Sequence, residues 1–306
     1  MSTQIVLSES PTAAESRAAE LLAEHLGHLL EVDLPVVTAD APPRDDEILV
    51  GHSRRTRHLN IDVDLAVLGK DGFVLRTVGG RLVLVGGSGK GVIYAATTFL
   101  EDYLGFRFYA PGALVAPDAD TLELPDGLDV VQVPPIEFRE DYYRGAQDPA
   151  FGEWHKLNRH VEEWGPWVHT FAGLVPPDEH FETHPEWYAE VDGRRISNGQ
   201  LCLTNEAMYD VLVANLQQWI EAEPEKKYWS VSQNDTQGFC TCDRCAAIDA
   251  EQEAHSGSLI TFINRVAAEF PEQTISTLAY QYSRKAPREL RPADNVLVVL
   301  APIELN

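Results

Sequence analysis

The hydrophobic pattern changes character along this chain. Residues 5–8 read as a short apolar strand, and Ser10-Pro11 as a helix cap followed by a first-turn proline. Ala14, Ala18, Leu22, Leu26 and Leu29 recur at helical spacing and predict an amphipathic helix to about Leu30. Strands follow at 34–38 and 47–50. The sharpest local signal is GFVLRTV and RLVLVGG on either side of Gly79-Gly80, a hairpin whose glycines supply the positive φ that a tight turn requires. A second helix is predicted over 92–104, with Val92, Ala95, Ala96, Phe99 and Tyr103 on one side and Gly105 closing it. The Pro/Asp-rich stretch 117–135 reads as a linker.

Beyond Pro135 strands and helices alternate. Strands are expected at 136–143, 167–171, 228–233, 275–282 and 296–303, with helices at 151–159, 207–222 and 259–270. Such alternation predicts parallel βα units. The fold class expected is therefore α/β: a small α/β domain over 1–128, then a (β/α) TIM-barrel-like domain over 129–306. A closed barrel has eight strands, so this one reads as truncated after about five, with the remainder of the barrel needed in cis. Each expected strand ends in a polar or aromatic cluster, REDYYR, HTF, SQND, YQYS and PIEL, and chemistry in such barrels gathers at those carboxyl ends.

At 306 residues and 44% hydrophobic, the chain can build two packed cores. No apolar run reaches the roughly 20 residues that cross a bilayer. The N-terminus has neither a basic n-region nor an apolar h-region, so a cytoplasmic protein is expected. The balance of 48 acidic against 24 basic residues, a net charge of −24, argues against nucleic acid and anionic membranes as partners.

VGGSGKG invites comparison with phosphate-binding loops and fails it. A P-loop would require glycine at Leu84 and Ser or Thr at Gly91, and the dinucleotide pattern would require glycine at Val92. A tight strand-to-helix turn is expected instead. The cysteines carry the most specific spacing. Cys240, Cys242 and Cys245 lie in FCTCDRC, and Cys202, in QLCLT, could complete a tetrahedral zinc shell. A disulfide or plain reduced thiols are the rivals. Zinc is preferred because there is no secretion signal, and a structural rather than catalytic ion, because four thiolates leave no open position.

Asp235 follows the strand YWSVSQN and is a candidate general acid; Glu304, after VLVVLAPI, is a candidate second carboxylate. Glycoside hydrolysis commonly uses two carboxyls across the scissile bond. Candidate substrate-binding residues are Arg139 in FRED, His169 in WVHTF, Asn234 beside the acid, and Tyr280 among the aromatics on which a sugar could stack. Capping, ion pairing and core packing are the ordinary alternatives for these residues. HPEWYAEVDGRR reads as a hairpin turning at Asp192-Gly193 within a long βα loop.

DEILVG, the hairpin and GKGVIYAATTFLEDYLGFRFYAPG resemble the N-terminal domain of bacterial α-glucuronidases and the equivalent domain of β-hexosaminidases. HTFAGLVPPDEHFETHPEWYAEVDGRR, LCLTN, QNDTQGFCTCDRC, LAY and NVLVVLAPIE resemble an uncharacterised bacterial barrel domain of unknown function, the DUF4838 type. The resemblance spans essentially the whole chain. It implies a glycosidase-like architecture with a non-catalytic N-domain and a carbohydrate ligand. Hexosaminidases carry an Asp-Glu pair where this chain reads Asn234-Asp235, one carboxylate for two. The activities left open are a glycoside hydrolase, a carbohydrate-binding protein without catalysis, and a fragment inactive alone.

Overall fold

The computed structural model describes residues 3–302 apart from 45, 60, 62, 63, 119, 120 and 123. The chain divides into two units, Met1–Arg159 and His160–Asn306.

The first unit is built on strands β1 (Gln4–Leu7), β2 (Val36–Thr38), β3 (Glu47–Val50), β4 (Phe73–Val78) and β5 (Arg81–Gly86), with helix α1 (Ala13–Leu30) between β1 and β2. Thr12 rather than Ser10 caps α1: its side chain accepts from the Glu15 amide while Glu15 reaches back to the Thr12 amide. Short helices α2 (Arg54–His58) and α3 (Leu65–Leu68) lead to the hairpin, and α4 (Gly91–Thr98) follows it and widens into a π-helical turn over Phe99–Tyr103. Hairpin β6 (Arg107–Ala110) and β7 (Ala113–Val115), strand β8 (Asp129–Gln132) and helix α5 (Pro149–Trp154) complete the unit.

The sheet order is β2-β1-β3-β5-β4-β8, with β2, β1, β3 and β5 parallel. The hairpin expected around Gly79-Gly80 forms, pairing Phe73 with Gly86 through Val78 with Arg81. Strand alternation sends Ile5, Leu7, Ile48, Val50, Leu82 and Leu84 toward α1 and α4. It sends Val6, Leu49, Val74, Val83 and Val85 to the opposite face, with Ile61 and Leu68. Both faces are covered, which is why these strands carry apolar residues on both faces.

Two expectations change in this unit. The stretch taken as a linker contains β8, which pairs antiparallel with Phe73–Arg76 of β4, so the first unit continues past residue 128 to Arg159. The strand expected over 136–143 does not form. Its carbonyls at Ile136 and Glu137 accept from the Arg139 guanidinium, and the Arg139 amide donates to the Asn158 side chain, so no ladder is available.

The second unit opens with helices α6 (His160–Glu163), α7 (Phe171–Leu174) and α8 (Pro177–His180). Strands β9 (Glu190–Val191) and β10 (Arg194–Arg195) form the small hairpin read from Asp192-Gly193, both of which adopt positive φ. Helix α9 (Glu206–Ala222), strand β11 (Tyr228–Ser230), helices α10 (Asp243–Glu251) and α11 (Ser256–Glu269), and strands β12 (Thr274–Ala279) and β13 (Val296–Leu300) follow. Strands β11, β12 and β13 are parallel, as the alternation implied. Met208, Leu212 and Leu216 of α9 and Leu259, Phe262, Ile263 and Val266 of α11 pack with Trp229, Val231 and Ile275 in one core.

The expected strand at 167–171 is replaced by irregular backbone running beside β11. Just before it, Trp164 makes one parallel bridge to Tyr228, and the donor-less Pro166 follows. Thr170 continues the contact: its hydroxyl donates to the Ser230 carbonyl and accepts from the Ser232 amide. Of the five strands expected in this half, three form, and among the described residues they make an open sheet, not a closed barrel.

Candidate functional site

Backbone geometry at the carboxyl edge of the β11-β12-β13 sheet sets the site. His169 and Gln281 both sit in the left-handed region, at φ 57° and 51°. Non-glycine residues are uncommon there and are held by their surroundings. His169 Nδ1 lies 2.7 Å from the Gln233 carbonyl, so that nitrogen carries the proton and Nε2 is left for other partners. The Gln233 amide, fully buried, reaches across to the Ser283 hydroxyl at 2.6 Å and the Leu278 carbonyl at 3.2 Å, tying the end of β11 to that of β12.

Asp235 is exposed beyond this row. Its Oδ1 accepts from the Tyr280 hydroxyl at 2.9 Å and from the Gln281 side-chain Nε2 at 3.3 Å. The Tyr280 and His169 rings lie 5.9 Å apart. Three of the residues singled out in the sequence, His169, Asp235 and Tyr280, are thus brought together.

The other expected residues fare differently. Both ends of the Asn234 side chain are committed to backbone: Nδ2 donates to the Gly199 carbonyl and Oδ1 accepts from the Ala172 amide, so it braces the loop and has little left for a ligand. Arg139 belongs to the first unit. There it pairs with the buried Asp71 at 2.9 Å and donates to the Lys156, Ile136 and Glu137 carbonyls, which occupies its fork. Glu304 lies outside the described residues.

The four cysteines converge as their spacing suggested. Cys202, Cys240, Cys242 and Cys245 are all buried, and their sulfurs lie within 4.8 Å of one another. The Cys202 and Cys242 sulfurs are 3.7 Å apart. That is far beyond a disulfide bond, and close to the roughly 3.8 Å edge of a tetrahedron with metal–sulfur distances of about 2.3 Å. Donors surround the cluster: the Glu190 amide at 3.3 Å and Arg195 Nη1 at 3.8 Å from Cys240, and the Thr204 hydroxyl at 3.4 Å from Cys245. Hydrogen bonds from the Cys240 and Cys245 thiols pull the Cys202 thiol far below its ordinary range, and donating to Cys202 pushes both of those up. These directions favour a thiolate on Cys202, and the four close cysteines can bind a metal ion.

Sequence reasoning missed Gln200, two residues before Cys202, whose side chain bonds the acid loop at Asn234 and Thr236. It also missed a cavity of about 460 Å³ behind Cys240, where His255 faces Asp249 at 3.1 Å and stacks near Phe239. Neither follows a motif; both arise from packing between distant segments.

The glycine-rich turn after β5 agrees with the rejection of a phosphate site. The Gly87, Ser88 and Gly89 amides donate to the Gly72, Gly69 and Lys70 carbonyls, at 2.8, 3.0 and 2.7 Å. The donors that a phosphate would use are already taken.

Among known families, the model described as "Domain of unknown function (DUF4838)" matches residues 108–306, about two thirds of the chain. The chain belongs to the DUF4838 family. In this DUF4838 protein residues 1–99 also match the model of the glycosyl hydrolase family 67 N-terminus. A comparison with curated protein sequences gives no match.

Solved structures similar to the DUF4838 chain include a β-N-acetylhexosaminidase from Bacteroides fragilis, at TM-score 0.51 and 12% identity, covering 98% of this chain and 66% of that one. A mutant β-hexosaminidase from Streptomyces plicatus in complex with GlcNAc is similar at TM-score 0.46 and 13% identity, over 96% of this chain and 64% of that one. A GH115 4-O-methyl-α-glucuronidase gives TM-score 0.47 and 15% identity, over 97% and 44%. The DUF4838 chain therefore spans less than two thirds of the length of these structures. At such identities the likeness concerns the mixed α/β fold. No helix among the described residues is long and apolar enough to cross a membrane.

Proposed function

We propose that this chain is a carbohydrate-active domain of the glycoside-hydrolase kind, with Asp235 as its acid. The observation that carries this is the grip on the Asp235 carboxylate by Tyr280 and Gln281 at the carboxyl edge of a parallel sheet, with a left-handed His169 beside it. A carboxyl group fixed at that edge is placed as strand-end acids of βα folds are, and it can protonate a glycosidic oxygen. His169 Nε2 and the Tyr280 ring would orient the sugar, by hydrogen bonding and by stacking. Glu304, which follows β13 in sequence, is the proposed second carboxylate. The four thiols are proposed to hold one structural zinc ion, and the first unit to be non-catalytic.

The names of the similar structures direct the choice of substrates. Aryl N-acetyl-β-hexosaminides and aryl α-glucuronides are expected to release their aglycone. Asp235→Asn should slow that release at least about 100-fold, the scale of a lost general acid. Undiminished turnover by Asp235→Asn would remove the assignment. Glycan binding without turnover by the wild type would instead favour a carbohydrate-binding protein. The neutral Asn234, locked to backbone next to a single acid, supports that second reading.

A further inference from the structure

The loop that carries Asn234 and Asp235 out of β11 has no regular secondary structure before α10, yet it is held at both ends. One end is the β11 ladder. The other is the cysteine cluster, only five residues beyond Asp235. Between them lies Gln200, two residues before Cys202 and 1% exposed. Its amide donates to the Gly238 carbonyl at 2.9 Å, and its side-chain nitrogen to the Asn234 and Thr236 carbonyls, both at 2.8 Å. Its side-chain oxygen accepts from the Asn234 amide at 2.8 Å, and its carbonyl from the Ala189 amide at 2.8 Å. The backbone N–H and the whole side-chain amide of Gln200 are thus spent on fixing this loop, and Gln200 lies two residues from Cys202.

We infer that the four cysteines form a zinc centre that positions the acid loop: the metal pins Cys202 to Cys240, Cys242 and Cys245, and Gln200 passes that constraint to Asn234 and Asp235. The donor set is four buried sulfurs within 4.8 Å of one another, one pair 3.7 Å apart, which suits a closed structural zinc site. The Glu190 amide, the Thr204 hydroxyl and Arg195 supply the outer contacts by which such sulfurs are oriented and their charge offset. Ions of this kind commonly hold together segments that cannot build a core of their own. Here those segments are 199–205 and 234–245. Gln200 is a positioning residue, and the role given to Asp235 rests on the function proposed above.

The test uses the 306-residue chain purified without chelator. Metal analysis should give one zinc per chain, and cobalt(II) replacement should give the visible ligand-field and thiolate charge-transfer bands of a tetrahedral thiolate site. Removing the ion by chelation, or with Cys242→Ser, should raise amide hydrogen exchange at Asn234, Gln200 and Thr241 at least ten-fold. Exchange in β4, β5 and α9 should change less than two-fold. Gln200→Leu should keep the zinc and the cobalt spectrum yet show the same faster exchange at Asn234. Where turnover is measurable, it should lower kcat with KM changed less than two-fold.

Zinc near zero, or another metal at one per chain, overturns the inference. So does metal-free protein with unchanged exchange at Asn234, or with α9 equally deprotected, since the ion would then hold either nothing or the whole unit. Exchange does not depend on turnover, so an inactive protein would sink the proposed function and leave this result readable.

Discussion

Replacing Gly91 by alanine probes the joint where β5 hands over to α4. A Cβ at Gly91 would lie 2.0 Å from the Gly72 carbonyl oxygen and 3.2 Å from the Asp71 carbonyl carbon, both backbone atoms with no side chain to swing away. Relief requires the 69–72 loop to move by about 1.5 Å, because heavy-atom contacts normally stay beyond about 3.5 Å. Overpacking of this kind costs about 1–3 kcal/mol. The shift also loosens the three bonds from Gly87, Ser88 and Gly89 to that loop, each worth about 0.5–1.5 kcal/mol. Alanine recovers about 0.5–1 kcal/mol of helix preference. The net loss is about 3 kcal/mol, or about 6–12 °C in the melting of a unit of this size. Calorimetry of Gly91→Ala against wild type measures it, and a shift under about 1 °C would refute the packing account. Gly79→Asn is the control. Gly79 has φ +56° with nothing near its Cβ position, and asparagine tolerates that backbone, so little change is expected. Millimolar Mg-ATP should leave the transition where it is; a saturable rise would mean that the loop amides are free to bind phosphate after all.

Two further outcomes follow from the first unit. His25 packs between the Phe106 and Trp154 rings, and burial lowers its pKa from 6.5. The unfolded chain therefore takes up a proton that the folded chain resists, so stability should fall as pH drops below about 6.5; His25→Phe should show a smaller loss of urea midpoint between pH 7.5 and 5.5, and equal losses would count against the assignment. Arg139→Ala leaves the 5%-exposed Asp71 carboxylate without its cation. It should reduce stability by about 3–5 kcal/mol while KM for any sugar stays the same; a raised KM at unchanged stability would restore Arg139 to the ligand.

What could be read from the sequence was local. Helices α1, α9 and α11 follow from apolar spacing within one segment, and the β4–β5 hairpin from two glycines at its turn. The cysteine cluster was legible because three of its cysteines lie within six residues and the fourth had no competitor. Strand β8 was not, since Val130 and Val131 become a strand only by meeting the free edge of β4. The expected strand at 136–143 failed because Arg139 captured its carbonyls, and that at 167–171 because His169 turns left-handed and the 169–171 amides converge on Ser232 instead of forming a ladder. Helix α10 was missed because only Cys245 and Asp249 of it are buried, too sparse a stripe to see. Gln200 bore no signal at all, because its importance lies in bonds to residues more than thirty positions away.

Glu47 carries a consequence for how the first sheet finds its alignment. Strands β1, β3 and β5 are apolar on both faces, so sliding one past another by a residue would expose nothing oily to water. The penalty for misalignment has to come from elsewhere. Glu47 is 3% exposed and sits opposite Gln4, which donates to it at 2.8 Å, with Arg55, Arg81 and the Arg44 amide around it. Burial alone would raise its pKa; the bonds from Gln4, Arg44 and Arg55 more than offset that and hold it below the usual carboxylate range. A slipped strand would strand this anion among leucines and valines. One charged side chain thus makes the correct pairing distinguishable from its neighbours in a sheet whose greasy residues could not tell them apart, and acid strong enough to protonate it would blur that distinction first.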